Sequence, residues 1–308
     1  MATTNAIVSE LQLTEVLDSA LVAFRKAILP LSIFSQAYED VELQGDGTIN
    51  VPYYPLATDA SQDMAASDSY LAKATDTNTL SKTVALDKHK VQAISFTAQQ
   101  VAREPKFNPE MHGQLKAEKL ASDITADVLS VVTAANFPST TIAATIADNF
   151  DEVDVAELAK LAMEADWPNV GRGMVLNPAF YYALVGSPAL LDASQSNDPA
   201  VLREALVQRI LEFNTFGSNG VPTNGLEKLA GFVSFPSAIL TAFAPVPPTK
   251  AQMSQVYDYR IVKDEYTGLV LEYKHLVYPD TSQEVQVIEA HYGFAIGEVG
   301  ALKRIVTP

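Results

Sequence analysis

Residues 55–79 are rich in Ala, Ser, Thr and Asp, follow neither a helical nor a strand period, and lie between two stretches that alternate like strands. Before them, Val41 and Leu43, then Ile49, Val51 and Tyr53, alternate around a Gly45-Asp46-Gly47 turn; after them, Val84, Leu86, Val91 and Ala93 alternate again. Compact domains rarely contain an idle loop longer than ~15 residues. The segment is therefore either disordered or the far end of a long hairpin that grips something outside the subunit. An isolated long hairpin is marginal in water and makes sense when a partner buries it. Of all the features in the chain, this one most restricts the fold, because a self-contained domain has no use for it.

The rest reads as a mixture of helices and strands. Ile7, Leu11, Val16, Leu17, Leu21, Phe24, Ile28 and Leu29 fall near helical spacing over residues 5–29, and Pro30 stops the pattern. This is either a core helix or an arm laid on a neighbouring subunit. Residues 109–136 are expected to form the longest helix, with Met111, Leu115, Leu120, Ile124, Val128, Leu129 and Val132 on one stripe. Asn108-Pro109 supplies its cap and first-turn proline, and Asn136-Phe137-Pro138 its end. Residues 152–255 alternate helix and strand. A helix at Val155–Ala165 leads to a short strand Gly173–Leu176, and a second helix is capped by Asn177-Pro178. A third helix spans Pro199–Glu212, and a strand Ala230–Phe235 follows. Residues 256–308 are mostly strand, with turns at Asp264–Gly268 and Pro279–Ser282. No internal repeat is present.

At 308 residues and 48% hydrophobic, the chain can bury a sizeable core in two domains or one elaborated domain. No apolar run approaches the ~20 residues of a membrane helix. The start, MATTNAIVSE, does not read as a secretory signal. Cysteine is absent, which excludes disulfides, thiolate metal sites and a cysteine nucleophile and fits assembly in a reducing cytoplasm. The net charge of -16 disfavours broad attraction to nucleic acid, since phosphate binding needs clustered Lys and Arg. It suits a soluble acidic surface, and equally a container wall that must not stick to packed DNA.

Motifs for chemistry are missing. The chain has no GxSxG, HExxH, GxxxxGK[ST] or GxGxxG. Gly217-Ser218-Asn219-Gly220 with Gly225 and Lys228 has the wrong spacing for a phosphate loop. His89, His112, His275 and His291 show no metal-ligand spacing. His89 sits between Lys88 and Lys90, while Glu289 and His291 would share one side of a strand. Asp151, Glu152 and Asp154 read as helix-start acids, with a divalent ion as the sharper alternative. The aromatics, Tyr181 and Tyr182 among them, lack an accompanying basic patch. No catalytic, cofactor-binding or metal-binding residue is assigned and no cofactor is expected, so the reading is structure or assembly rather than an enzyme.

Two stretches carry a resemblance. Gly171–Val185, a hydrophobic strand followed by Asn-Pro and an aromatic helix, resembles the axial-domain segment of Hong Kong 97-like major capsid proteins of tailed bacteriophages. Tyr292–Ile305 resembles the last strands of the same family, and the order of elements agrees. The resemblance implies an α+β Hong Kong 97-like capsid fold. Residues 1–39 would be the N-terminal arm, 40–97 the extended β-hairpin loop, 98–150 with 256–308 the peripheral domain with its long spine helix, and 151–255 the axial domain. It places Gly217–Gly225 near the five-fold and six-fold axes. It further implies self-association through pentamers and hexamers into an icosahedral shell around double-stranded DNA, without sequence-specific DNA contacts and without a membrane. The virion would then be the chain's place, with assembly in the bacterial host cytoplasm. The chain starts almost directly at the arm, which implies a separate scaffolding protein or none; a portal and decoration proteins are the other partners expected. Lys73 and Lys82 flank the loop tip, and no crosslink is expected. An encapsulin-type nanocompartment shell, or a phage tail or neck protein, is the alternative.

Overall fold

The computed structural model describes residues 19–24, 27–28, 30–38, 47–53, 63–65, 68–73, 80–97, 109–138, 146–169, 171–187, 209–245, 248, 250–264, 269–281 and 283–307. In chain order the first elements are β1 (Ser35–Tyr38), β2 (Thr48–Tyr53), β3 (Leu80–Ala85), β4 (Lys88–Thr97) and α1 (Pro109–Leu129). Next come α2 (Glu152–Glu164), β5 (Gly173–Leu176), α3 (Pro178–Val185), β6 (Arg209–Ile210), β7 (Phe213–Gly217), β8 (Leu229–Ser234) and β9 (Ile239–Phe243). The last four are β10 (Val256–Asp264), β11 (Leu269–Tyr278), β12 (Gln283–Ile296) and β13 (Leu302–Val306). The fold is mixed α and β.

Two sheets organise the body. The first runs β1-β9-β12-β11-β10, with β4 on the other edge of β12. The second runs β13-β8-β5-β7-β6. On one face of the first sheet Leu271, Tyr273, Ile288, Ala290 and Tyr292 are buried, in a core shared with α1 and the helical segment around residues 19–34. Its binding to α1 is polar as well as apolar. Tyr292 Oη donates to Asp127 Oδ2 at 2.8 Å, and Lys90 Nζ donates to the Asp123 carbonyl at 2.8 Å. A helical turn at Leu31–Phe34 joins the two sheets, with Phe34 set edge-on to Phe232 of β8 at 5.4 Å between ring centroids. The second sheet packs Met174, Leu176 and Phe213 against α2 and α3.

The ends of α2 and α3 follow local chemistry. Asp151 caps α2 by accepting from the Val153 and Asp154 amides at 2.9 and 3.4 Å, and the Asp154 carboxylate reciprocates to the Asp151 amide. Asn177 caps α3 by accepting from the Phe180 amide at 3.0 Å, with Pro178 at the first helical position. At the entry to β5, buried Arg172 donates to the carbonyls of Trp167 and Pro168, to Asn169 Oδ1 and to Glu212, so one guanidinium gathers all four.

β2 and β3 form a separate antiparallel pair, Thr48 opposite Ala85 and Tyr53 opposite Leu80. This pair lies on the first sheet's second face, where Ile49, Val51, Tyr53 and Val84 pack on Leu240, Ala242 and Ala244. Of the segment between β2 and β3, residues 63–65 and 68–73 are described and the rest lie outside the described residues. In the described part, Tyr70–Lys73 makes one helical turn whose Lys73 pairs with Asp68 at 3.1 Å.

Several expectations are corrected. The long helix ends at Leu129 rather than residue 136. Ser130 Oγ turns back to the Asp127 carbonyl and Asn136 Nδ2 to the Val131 carbonyl, and the β-branched run Val131-Val132-Thr133 disfavours continuation. Met111 and Leu115 do not join the buried stripe but are 60% and 55% exposed. At roughly 100° per residue they lie far around the helix from Ala117, Leu120, Ala121, Ile124 and Val128. A helical turn at Leu31–Phe34 follows Pro30, because proline is tolerated at a helix start. The end of the expected Pro199–Glu212 helix is instead β6 and a turn, in which Leu211 takes a left-handed φ of 51°; residues 199–208 lie outside the described residues, as do Val41, Leu43 and residues 5–18. β9 was not anticipated; it pairs in the first sheet, while β13 pairs in the second and β4 runs along β12.

The hairpin's seat depends on Gly293. A Cβ there would lie 1.9 Å from the Ala85 carbonyl oxygen, which is backbone and cannot swing away. Gly293→Ala is expected to destabilise by about 3 kcal/mol or more, at the top of the usual overpacking range. Gly300→Ala, with nothing within 4 Å of its Cβ, is expected to be near neutral. Thermal melting of both variants checks this.

Candidate functional site

Where the hairpin is seated, the first sheet's second face carries a ladder of ionisable side chains. Strand alternation puts Tyr259 of β10, Glu272 and Lys274 of β11, Glu289 and His291 of β12 and His89 of β4 on this face. Register does the rest, since Glu272 lies opposite Glu289, Tyr259 opposite Lys274, and His291 opposite His89. Tyr259 Oη donates to Glu272 Oε2 at 3.1 Å. Lys274 Nζ lies 3.7 Å from Glu272 and forms an ion pair with Glu289. His89 Nε2 meets Glu289 Oε2 at 3.0 Å and its ring stacks on His291, centroids 3.7 Å apart and 17° from parallel. Glu272, Lys274 and Glu289 are buried.

The electrostatics of the ladder run one way. Burial, followed by the neighbouring His89, pushes His291 from 6.5 down to about 4. Burial, with Glu272 next, raises the Tyr259 hydroxyl above its ordinary range. At neutral pH the ladder is thus a carboxylate–lysine core with a neutral imidazole at its hairpin end. It is an arrangement suited to fixing strand register and hairpin position.

The other residues singled out in the sequence find structural places. Glu289 and His291 do share a strand face, and His89 joins them through the β4–β12 register, which no local spacing reveals. His275 Nε2 meets Glu284 at 3.2 Å. His112 lies exposed on α1. Asp151 and Asp154 are occupied in capping α2, and Glu152 accepts from Ser187 Oγ at 2.5 Å. Asp151 and Glu152 border an open cleft of about 630 Å³ with Asp148, Phe150 and Ala183. No group of three metal-ligating side chains occurs among the described residues. Gly217 ends β7 against the Tyr181 ring, and Lys228 leads into β8 with its carbonyl accepting from Thr307, so the glycines between them form no phosphate cradle. No helix among the described residues is long and apolar enough to cross a membrane.

His291 gives the ladder a pH signature. Its proton affinity is lower in the folded than in the unfolded chain, so the unfolded state takes up more protons between these two limits. Stability contributed by the neutral ring is therefore full above pH 6.5 and lost as pH falls toward about 4. Glu289, Glu272, Lys274, Tyr259 and His89 are the groups that face it. The melting temperature of His291→Gln is expected to fall less steeply than that of the parent between these two pH values, as melting curves across the range would show.

Comparison with known proteins places the fold. No family model matches the sequence, and no curated protein matches it. Solved structures do. The mature capsid of bacteriophage PhiM1 superposes with a TM-score of 0.52 at 13% identity, over 90% of this chain and 86% of that one. The capsid of cyanophage P-SCSP1u gives 0.51 at 11% identity, over 89% and 86%. A virus-like particle from Pyrococcus furiosus gives 0.50 at 12% identity, over 94% and 96%. The two-sheet body with its seated hairpin has the fold of a phage capsid subunit.

Proposed function

We propose that this chain is a major capsid protein of a tailed bacteriophage. Copies associate through pentamers and hexamers into an icosahedral shell that encloses double-stranded DNA, with the chain acting as a wall and not as an enzyme. The observation that carries this reading is the likeness to a capsid subunit over nine-tenths of the chain. The domain assignment goes with it: an arm (1–39), an extended loop (40–97), a peripheral domain built on α1 (98–150 and 256–308) and an axial domain (151–255). The partners are first of all further copies of itself, then a scaffolding protein, a portal and decoration proteins. The virion is its place, with assembly in the bacterial cytoplasm.

The hairpin supports the reading physically. Five of the six residues of β3, all but the buried Val84, lie open to solvent along with Tyr70, which is 84% exposed. Within one subunit these side chains stay in water, whereas a neighbour could bury them. A second reading, a protein nanocompartment shell, is favoured by one observation, the match to the Pyrococcus furiosus particle over nearly the whole of both chains. Nucleic acid inside particles purified from the native source separates a virus from a nanocompartment.

Replacing residues 57–78 with a short Gly-Asn turn tests the assignment. The variant is expected to melt like the parent by circular dichroism, since burial contributes ~25 cal/mol per Å² and this segment offers the subunit's own core little. By negative-stain microscopy it is expected to form no closed shells. Normal shells would show that the hairpin tip is dispensable for assembly, and an unfolded subunit would show that it belongs to the core.

A further inference from the structure

The turn Asn224–Lys228 holds the most exposed large apolar side chain of the described residues, Leu226, at 100% exposure. The backbone around it is unusual. Asn224 and Lys228 sit in the left-handed region at φ 49° and 47°, and Gly225 at 64°. Non-glycine residues stay in that region only where their surroundings over-determine them, and such positions gather at functional surfaces. Here the surroundings do so. Asn224 Nδ2 donates to the Val132 carbonyl just past α1. One oxygen of Glu227 accepts from the Ala134 amide at 2.7 Å, and the other from Arg304 of β13 at 2.5 Å. The Leu229 amide donates to the Thr223 carbonyl, and the Thr307 amide and hydroxyl to the Lys228 carbonyl. The turn is bolted to the end of α1, to β13 and to its own start, while the side chain at its apex touches nothing.

Charge says what could meet it. Two copies of a chain with net charge -16 repel across most of their surfaces. At this turn the acid nearest the apex, Glu227, is neutralised by Arg304, the exposed charge is the cation Lys228, and the exposed residues of the adjoining segment are Ala134, Ala135 and Pro138. An acidic copy can therefore approach here without bringing acid against acid. A rigid apolar side chain on such a base also needs little ordering on contact, the property of a central interface anchor.

We propose that the Asn224–Lys228 turn is a preformed anchor that seats Leu226 in an apolar pocket of a second copy of this chain. The inference rests on the shell reading above and adds to it a specific contact residue. The absence of cysteine makes the test clean, because Leu226→Cys carries the only thiol. In the Cys variant, a maleimide reagent is expected to label dissociated subunits fully and assembled particles at least tenfold more slowly. Leu226→Ser is expected to melt like the parent, since the side chain is bonded to nothing, and to require a roughly tenfold higher concentration to assemble, as an anchor of ordinary strength would demand. Equal labelling of subunits and particles, with unchanged assembly of the Ser variant, would overturn the anchor while leaving the shell reading intact. A parent chain that stays monomeric at all concentrations would overturn both.

Discussion

β12 is the strand on which the rest is hung. Residues 283–289 pair with β11 on one edge and β4 on the other, and residues 292–296 then take up β9. A strand paired on both edges satisfies its backbone donors and acceptors internally, so it can be buried without cost in orphaned amides. That condition lets Ala290 and Tyr292 sit in the core with no exposure. It also brings three distant parts of the chain to one place. Strands β4, β9 and β11 all meet along a single fourteen-residue element.

The two faces of that strand do different work. Toward α1, Ile288, Ala290 and Tyr292 pack into an apolar core closed by the Tyr292–Asp127 hydrogen bond. On the far face, Glu289 and His291 enter the ionised ladder, and Gly293 gives the hairpin room to land. A buried ion pair such as Lys274–Glu289 is weak as a source of stability, because desolvating both charges offsets most of their attraction. Its leverage is in register. A slip of one residue in β12 would move Glu289 into the apolar core and Ile288 to the ladder, leaving a buried charge unpaired. The ladder therefore holds β4 and β12 in the alignment that fixes where the hairpin leaves the body.

Legibility in the sequence followed the range of the interactions. The α2 and α3 starts were readable because Asp151 and Asn177 cap helices within three residues of themselves. β5, β8, β11 and β12 were readable from apolar runs and alternation. The paired strands β2 and β3 were readable from the alternation of Ile49, Val51 and Tyr53 and of Val84. Contacts made through sheet register were not readable. His89 and His291 are separated by most of the chain, and only the β4–β12 pairing stacks their rings. Met111 and Leu115 looked like core because apolar residues usually are, and only the helix's phase against the sheet turns them to solvent. Strand β9 escaped notice for a related reason. It is a short apolar run, Ile239–Phe243, whose sheet is decided by tertiary pairing rather than by its own residues.

Charge links this architecture to assembly. Much of the body's acid is already engaged inside one subunit: Glu212 with Arg172, Glu227 with Arg304, Glu289 with Lys274, and Asp127 with Tyr292 and Lys90. The excess that remains must be carried by the surface, where it opposes any contact between copies. Within the hairpin the paired strands are the exception. β2 and β3, Thr48–Tyr53 and Leu80–Ala85, contain no acid, and their one charged residue is Lys82. β4, which continues from them, begins with Lys88 and Lys90 and holds no acid either. The segment that joins β2 to β3 is acidic again, with Asp59, Asp63, Asp68 and Asp76 against Lys73. A like-charged neighbour therefore meets the least repulsion along the paired strands and the most at the segment between them.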